Sequence, residues 1–101
     1  MIILTAMLKA KPGKEKQVEG ILKGMIPKVQ NEKGASKYIL HKSKEDKSQF
    51  FFYEEYTDQA ALDLHNSTPY FKELGKNLTG LLDGEPIAVF YDVVAAISRS
   101  K

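Results

Sequence analysis

The chain has 101 residues, a formal net charge of +2 and no cysteine. This length fits one domain, residues 1–101, with a modest core that association would stabilise. The near balance of 15 basic and 13 acidic residues gives no electrostatic case for nucleic acid, and the lack of cysteine excludes disulfides and thiol chemistry. This cysteine usage is also consistent with a cytoplasmic location.

The first third of the chain predicts a strand followed by a helix. Apolar side chains crowd residues 2–10, which lack a basic leader and are too short to span a bilayer, so a strand is expected there and no membrane association. Residues 14–33 carry apolar side chains at three- and four-residue spacing, as in an amphipathic helix. Pro27 predicts a kink or an early end, and Gly34 predicts the C-cap.

The middle of the chain predicts a hairpin followed by helices. The two strands are expected over residues 35–43 and 50–56, joined by the polar turn 44–47. Asp58 has the side chain of an N-cap, so a helix is expected from residue 59. The pair Thr68-Pro69 predicts that a second helix starts there, because proline is tolerated in the first helical turn.

The last part of the chain predicts the end of that helix and a fourth strand. Its apolar side continues to Leu82, although Gly75 and Gly80 each weaken a helix by about 1 kcal/mol relative to alanine. Residues 87–95 are expected to form the strand. Residues 97–101 are expected to be a short solvated tail.

The predicted order is strand, helix, strand, strand, helix, strand. This is the α+β, ferredoxin-like split βαβ arrangement, a four-stranded antiparallel sheet with helices on one face. The third strand is apolar on both faces, with Phe50 and Phe52 on one and Phe51 and Tyr53 on the other. A sheet with one wet face would alternate apolar and polar residues. We therefore expect a second copy of the chain to cover the other face in a homodimer.

The main chemical candidates are Glu54, late in the third strand, and His65 on the following helix. Alternation places Glu54 on the same side as Phe52 and Tyr56. His65 has the side chain best suited to general-base catalysis near neutral pH, and Glu54 is predicted to orient its ring. Both are predicted catalytic residues in one pocket. The alternative is that His65 packs on the helix and Glu54 is solvated.

Four aromatic residues are candidates for substrate binding. The hydroxyls of Tyr38 and Tyr56 could bond a substrate oxygen, and Phe52 and Phe71 could contact a flat ring, but all four would also suit a core. His41 is predicted to be a surface residue. The two histidines and scattered carboxylates lack metal-ligand spacing, so no metal site is predicted.

Several segments together resemble the antibiotic biosynthesis monooxygenase family of dimeric α+β barrels, over nearly the whole chain. The most specific part is the spacing Glu-x-Tyr-x-Asp-x-x-Ala-Leu-x-x-His. The matching residues are Lys11-Pro12-Gly13, Glu32-Lys33-Gly34, Tyr38, Tyr53-Glu54-Glu55-Tyr56, Asp58, Ala61-Leu62, His65 and Pro69-Tyr70-Phe71.

Within this family the chain looks most similar to the quinol monooxygenase-like members. That resemblance implies oxidation of a small electron-rich aromatic by O2 without a metal, flavin or haem cofactor, in a homodimer. Haem-degrading relatives use a pocket tryptophan, and this chain has none. Two other functions stay open: an isomerase or tautomerase acting on a small carbonyl compound, phosphorylated or not, and a non-catalytic ligand-binding dimer.

Overall fold

The computed structural model describes residues 1–99, which form four strands and four short helices. In chain order they are β1 (Ile2–Lys9), α1 (Glu15–Lys23), α2 (Met25–Val29), β2 (Ala35–Lys42), β3 (Gln49–Tyr56), α3 (Gln59–Ser67), α4 (Pro69–Asn77) and β4 (Ile87–Tyr91).

The strands form one antiparallel sheet in the order β2-β3-β1-β4. This confirms the α+β, ferredoxin-like prediction. β3 lies between β2 and β1, so its Glu54 is paired with Leu4 of β1 on one side and with Tyr38 of β2 on the other. Paired residues share a sheet face, so these three side chains point the same way.

The predicted first helix is two helices, and the break lies before Pro27. α1 ends at Lys23 and α2 begins at Met25, with Gly24 between them. Proline has no N–H for the carbonyl one turn earlier, which interrupts the helical bonding at that level. The helical segment also ends sooner than expected, since α2 stops at Val29. Gly34 is therefore not a C-cap and lies in the turn before β2.

The predicted caps of α3 and α4 are confirmed. The Asp58 carboxylate accepts a hydrogen bond from the Ala61 N–H at 2.9 Å, and the Thr68 hydroxyl accepts one from the Phe71 N–H at 3.2 Å. α4 is shorter than the apolar pattern indicates. It ends at Asn77, three residues before Gly80, whose φ of 79° is left-handed and unsuited to a helix.

The fourth strand is also shorter than predicted. β4 covers Ile87–Tyr91, and residues 92–99 have no regular secondary structure. They lack the ladder partners that would extend the strand, because β1, the neighbour of β4, pairs with it only from Ile3 to Met7. Of the predicted tail 97–101, the last two residues lie outside the described part of the chain.

The core lies between the sheet and the helices. On β3, Phe50, Phe52, Glu54 and Tyr56 are buried, and the residues between them are only partly buried. We use the name outer face for the side of the sheet turned away from the helices. It carries Thr5, Met7, Phe51, Tyr53, Ile87, Val89 and Tyr91.

Within residues 1–99, no helix has the length and apolar character needed to cross a membrane.

Candidate active site

The buried face of β3 brings a carboxyl group into an apolar interior. Glu54 is 4% exposed, and its Oε1 accepts a hydrogen bond from the Tyr56 hydroxyl at 2.5 Å. Burial raises the pKa of Glu54 to about 7, aided by the negative charge of Glu32, while the Tyr56 hydrogen bond opposes the shift. Glu54 therefore changes its protonation state near neutral pH.

α3 places His65 against the same interior. Its buried residues, Leu62 and His65, are three positions apart and share one helix face. His65 is 1% exposed, and its Nδ1 lies 3.1 and 3.2 Å from the two carboxylate oxygens of Glu32, in the segment after α2. Glu32 is itself buried. A carboxylate and an imidazole thus meet inside the protein.

Tyr70, in the first turn of α4, completes this group. Its hydroxyl donates a short hydrogen bond to Oε2 of Glu32. Burial, followed by the contact with the Glu32 carboxylate, raises the pKa of Tyr70 to about 12. The phenol therefore stays protonated at neutral pH and acts as a donor.

Aromatic rings surround the imidazole. The ring centroids of Tyr38, Tyr56 and Phe71 lie 5.6, 5.3 and 5.1 Å from that of His65. Phe52 belongs to the main core and contacts Tyr38, with the two ring centroids 4.7 Å apart. Burial raises the pKa values of Tyr38 and Tyr56 well above the usual range of tyrosine, and the charge of Glu54 adds to both shifts.

The structure brings His65 and Glu54 into one cluster, but it corrects the predicted contact between them. The carboxylate at Nδ1 of His65 belongs to Glu32, whereas Glu54 is bonded to Tyr56. The reason is local. Residues 54 and 56 share a strand face, so the Tyr56 hydroxyl reaches Glu54 while its ring packs against His65. The prediction that Glu54 orients the His65 ring was therefore wrong.

The cluster retains polar atoms that can meet a ligand. Within the described residues, every fully buried side-chain nitrogen or oxygen has a hydrogen-bond partner. Nε2 of His65 and Oε2 of Glu54 have no hydrogen bond to another described residue, and neither does the Tyr38 hydroxyl. These three atoms therefore keep some contact with solvent.

Two members of the site, Glu32 and Tyr70, were not predicted as functional residues. Both lie in segments that resemble the family, Glu32-Lys33-Gly34 and Pro69-Tyr70-Phe71. This resemblance was the sequence feature that could have indicated a functional role for the two residues. Their meeting with His65 depends on tertiary packing, since Glu32 is 33 positions from His65 and 38 from Tyr70.

The other histidine has no part in this cluster. His41 is exposed on β2, as predicted, and its Nδ1 lies 3.1 Å from the Phe51 carbonyl. Residues 1–99 contain no group of three histidine, cysteine, aspartate or glutamate side chains that could hold a metal ion.

The chain is thus a small α+β protein of ferredoxin-like fold with a buried histidine-carboxylate pair. The antibiotic biosynthesis monooxygenase family model matches residues 1–77. The chain belongs to this family, which confirms the predicted resemblance.

Three proteins illustrate the likeness. The uncharacterised protein sll1783 of Synechocystis is 30% identical over 81 residues, which are 80% of this chain but only 55% of that protein. YcnE of Bacillus subtilis, which carries the provisional name of a monooxygenase, is 29% identical over 71% of this chain and 76% of its own. The crystal structure of PA3566 from Pseudomonas aeruginosa has a TM-score of 0.87 and 26% identity, covering 93% of this chain and 94% of that one.

Proposed function

We propose that the protein is a monooxygenase that oxidises a quinol or a similar polyphenol with O2. The observation that carries the proposal is His65, a buried imidazole held by a carboxylate and enclosed by the rings of Tyr38, Tyr56 and Phe71. Aromatic rings of this kind suit contact with a flat aromatic substrate, and the imidazole can remove a phenolic proton. Family membership supports the same reaction class.

The proposed reaction draws its electrons from the substrate. His65 removes a proton, and the resulting aromatic anion passes one electron to O2. The two radicals combine at carbon to give a peroxide anion, which takes the proton back from His65 and becomes a hydroperoxide. In an anthrone-type substrate the hydroperoxide then loses water, so that one CH2 group becomes C=O and the second oxygen atom leaves as water. No external reductant is needed.

Glu54 is the proposed second catalytic group. With a pKa of about 7, its carboxyl is partly protonated at neutral pH and can donate a hydrogen bond to a substrate oxygen as negative charge develops there. Tyr38 is the proposed substrate-binding hydroxyl, because the Tyr56 hydroxyl is already engaged by Glu54. Phe71 and Phe52, with the Tyr56 ring, would contribute apolar walls that keep water from the radical pair and the peroxide.

The same two groups also favour a second candidate, an isomerase or tautomerase. A carboxyl of raised pKa and an imidazole, both in contact with Tyr56, could move a proton between two atoms of a carbonyl compound without O2. A non-catalytic ligand-binding dimer is the third candidate, since this fold hosts many functions.

An oxygen electrode separates these candidates. A panel of dihydroxynaphthalenes and anthrones should give enzyme-dependent O2 uptake, with formation of the matching quinone. Turnover of a carbonyl compound without O2 uptake would support the isomerase. Saturable binding of an aromatic compound with no turnover would support the third class.

We also propose that the active form is a homodimer. The helices cover one face of the sheet, and apolar side chains remain on the outer face and along β4. Large exposed apolar surfaces are unusual on a monomer. A second copy of the chain would be the natural cover.

A further inference from the structure

We infer that Glu32 is the positioning residue of the general base, holding His65 with its proton on Nδ1 so that Nε2 accepts the proton of the substrate. The inference rests on the proposed function, because it names the atom and the partner through which His65 would act. Glu32 does not have to touch the substrate to do this.

The hydrogen bonds around Glu32 fix the direction of each proton. Both carboxylate oxygens lie near Nδ1 of His65, and the Tyr70 hydroxyl donates to one of them. An ionised carboxylate can only accept hydrogen bonds. Nδ1 must therefore carry a hydrogen, which leaves the lone pair of a neutral imidazole on Nε2.

Glu32 is well placed to act as a rigid support. Its N–H donates to the Val29 carbonyl at 2.9 Å, and its carbonyl accepts from the Ala35 N–H at 3.1 Å. The backbone is thus fixed on both sides, where the helical segment ends and β2 begins. The Tyr70 hydroxyl then limits rotation of the side chain, as a second donor to the same carboxylate.

The other polar groups around His65 cannot replace Glu32. Oε1 of Glu54 accepts the Tyr56 hydroxyl, and the raised pKa of Glu54 makes it a weaker anion near neutral pH. Tyr38 presents its ring to His65 and stays protonated. Glu32 is therefore the one carboxyl group hydrogen-bonded to the imidazole among the described residues.

The test is the tautomer of His65, read from 15N NMR of the ligand-free protein at neutral pH, with His41 assigned as the internal reference. The wild type should show a neutral ring with the proton on Nδ1. Glu32→Gln adds an amide that can donate to Nδ1, so the Nδ1–H form should lose its majority. Tyr70→Phe is the matched control, because it removes the other bond to Glu32 and should keep the Nδ1–H form.

Kinetics give the second readout. With any substrate found in the oxygen-uptake panel, Glu32→Gln should lower kcat by ~10-fold or more, but by less than the ~10²–10⁴-fold that a general base supplies, and should leave KM nearly unchanged. An Nε2–H or doubly protonated His65 in the wild type would overturn the inference, even if Glu32→Gln failed to fold. An unchanged Nδ1–H majority in a folded Glu32→Gln variant would also overturn it.

The NMR result does not depend on turnover. If no aromatic substrate is oxidised, the proposed function fails while the inferred Nδ1–H geometry can still stand.

Discussion

Glu54 makes the stability of the protein depend on pH. Burial raises its pKa from 4.5 to about 7, so the folded protein binds this proton more tightly than the unfolded chain does. The contribution of Glu54 to the free energy of unfolding is therefore fully present below pH 4.5 and is lost as the pH rises to about 7. The loss is on the order of 3 kcal/mol.

Glu54→Gln should remove this dependence, because the amide does not ionise and its oxygen can still accept the Tyr56 hydrogen bond. The difference in unfolding free energy between wild type and variant should change by ~3 kcal/mol between pH 4.5 and pH 8, in favour of the variant at high pH. Urea unfolding at one fixed protein concentration measures it. Parallel pH profiles of the two proteins would show that Glu54 is not buried as described.

At the level of elements, the contact between α3 and the turn before β2 requires glycine. A Cβ atom added at Gly34 would lie 2.3 Å from the Cβ of Ala61, and the Thr57 N–H donates to the Gly34 carbonyl at 2.9 Å. Such a clash between atoms fixed to two backbones can be relieved only by moving one of them. This turn immediately follows Glu32, so its position also affects the site.

Gly34→Ala should lower the free energy of unfolding by roughly 1–3 kcal/mol, as expected for overpacking. Gly20→Ala, in α1, is the matched control, because a Cβ atom added there would have no neighbouring atom within 4 Å. This change should raise helix stability by about 0.5–1 kcal/mol. Both values can be read from urea unfolding. Equal effects of the two substitutions would contradict the packing of α3 on this turn.

Local patterns predicted most of the elements. The cap side chains of Asp58 and Thr68 act within four residues, so the starts of α3 and α4 followed from sequence. The helix end expected at Gly34 and the ends of α4 and β4 were misplaced, because they depend on the adjoining turns and on the length of the neighbouring strand.

The candidate site was predictable only in part, for the same reason. The burial of Glu54 followed from strand alternation, and the burial of His65 followed from helix spacing. The partner of His65 depends on how the segment after α2 packs beside α3, a contact across 33 positions that no local pattern encodes.

For the whole molecule, the exposed apolar surface of β4 is the clearest feature. Every residue of this strand is exposed, and its outer-face residues Ile87, Val89 and Tyr91 are 56%, 38% and 51% exposed. On the proposal that a second copy covers the sheet, this surface becomes buried in the homodimer.

Val89→Glu should therefore weaken the dimer, because it places a carboxylate on the outer face at the middle of β4. We expect the dissociation constant to rise at least ~10-fold, equivalent to about 1.4 kcal/mol. Leu64→Glu, on the exposed side of α3, is the control and should leave association unchanged. Analytical ultracentrifugation measures both. A wild-type chain that stays monomeric at micromolar concentration would contradict the dimer.

In the proposed monooxygenation His65 removes the first proton, and turnover under 18O2 with an anthrone-type substrate tests this step most directly. Wild-type protein should place one labelled oxygen in the quinone and one in water. His65→Asn should lower kcat by ~10²–10⁴-fold, whereas His41→Asn, at the exposed histidine, should keep wild-type turnover. Product without labelled oxygen, or near-normal turnover by a folded His65→Asn variant, would contradict the account.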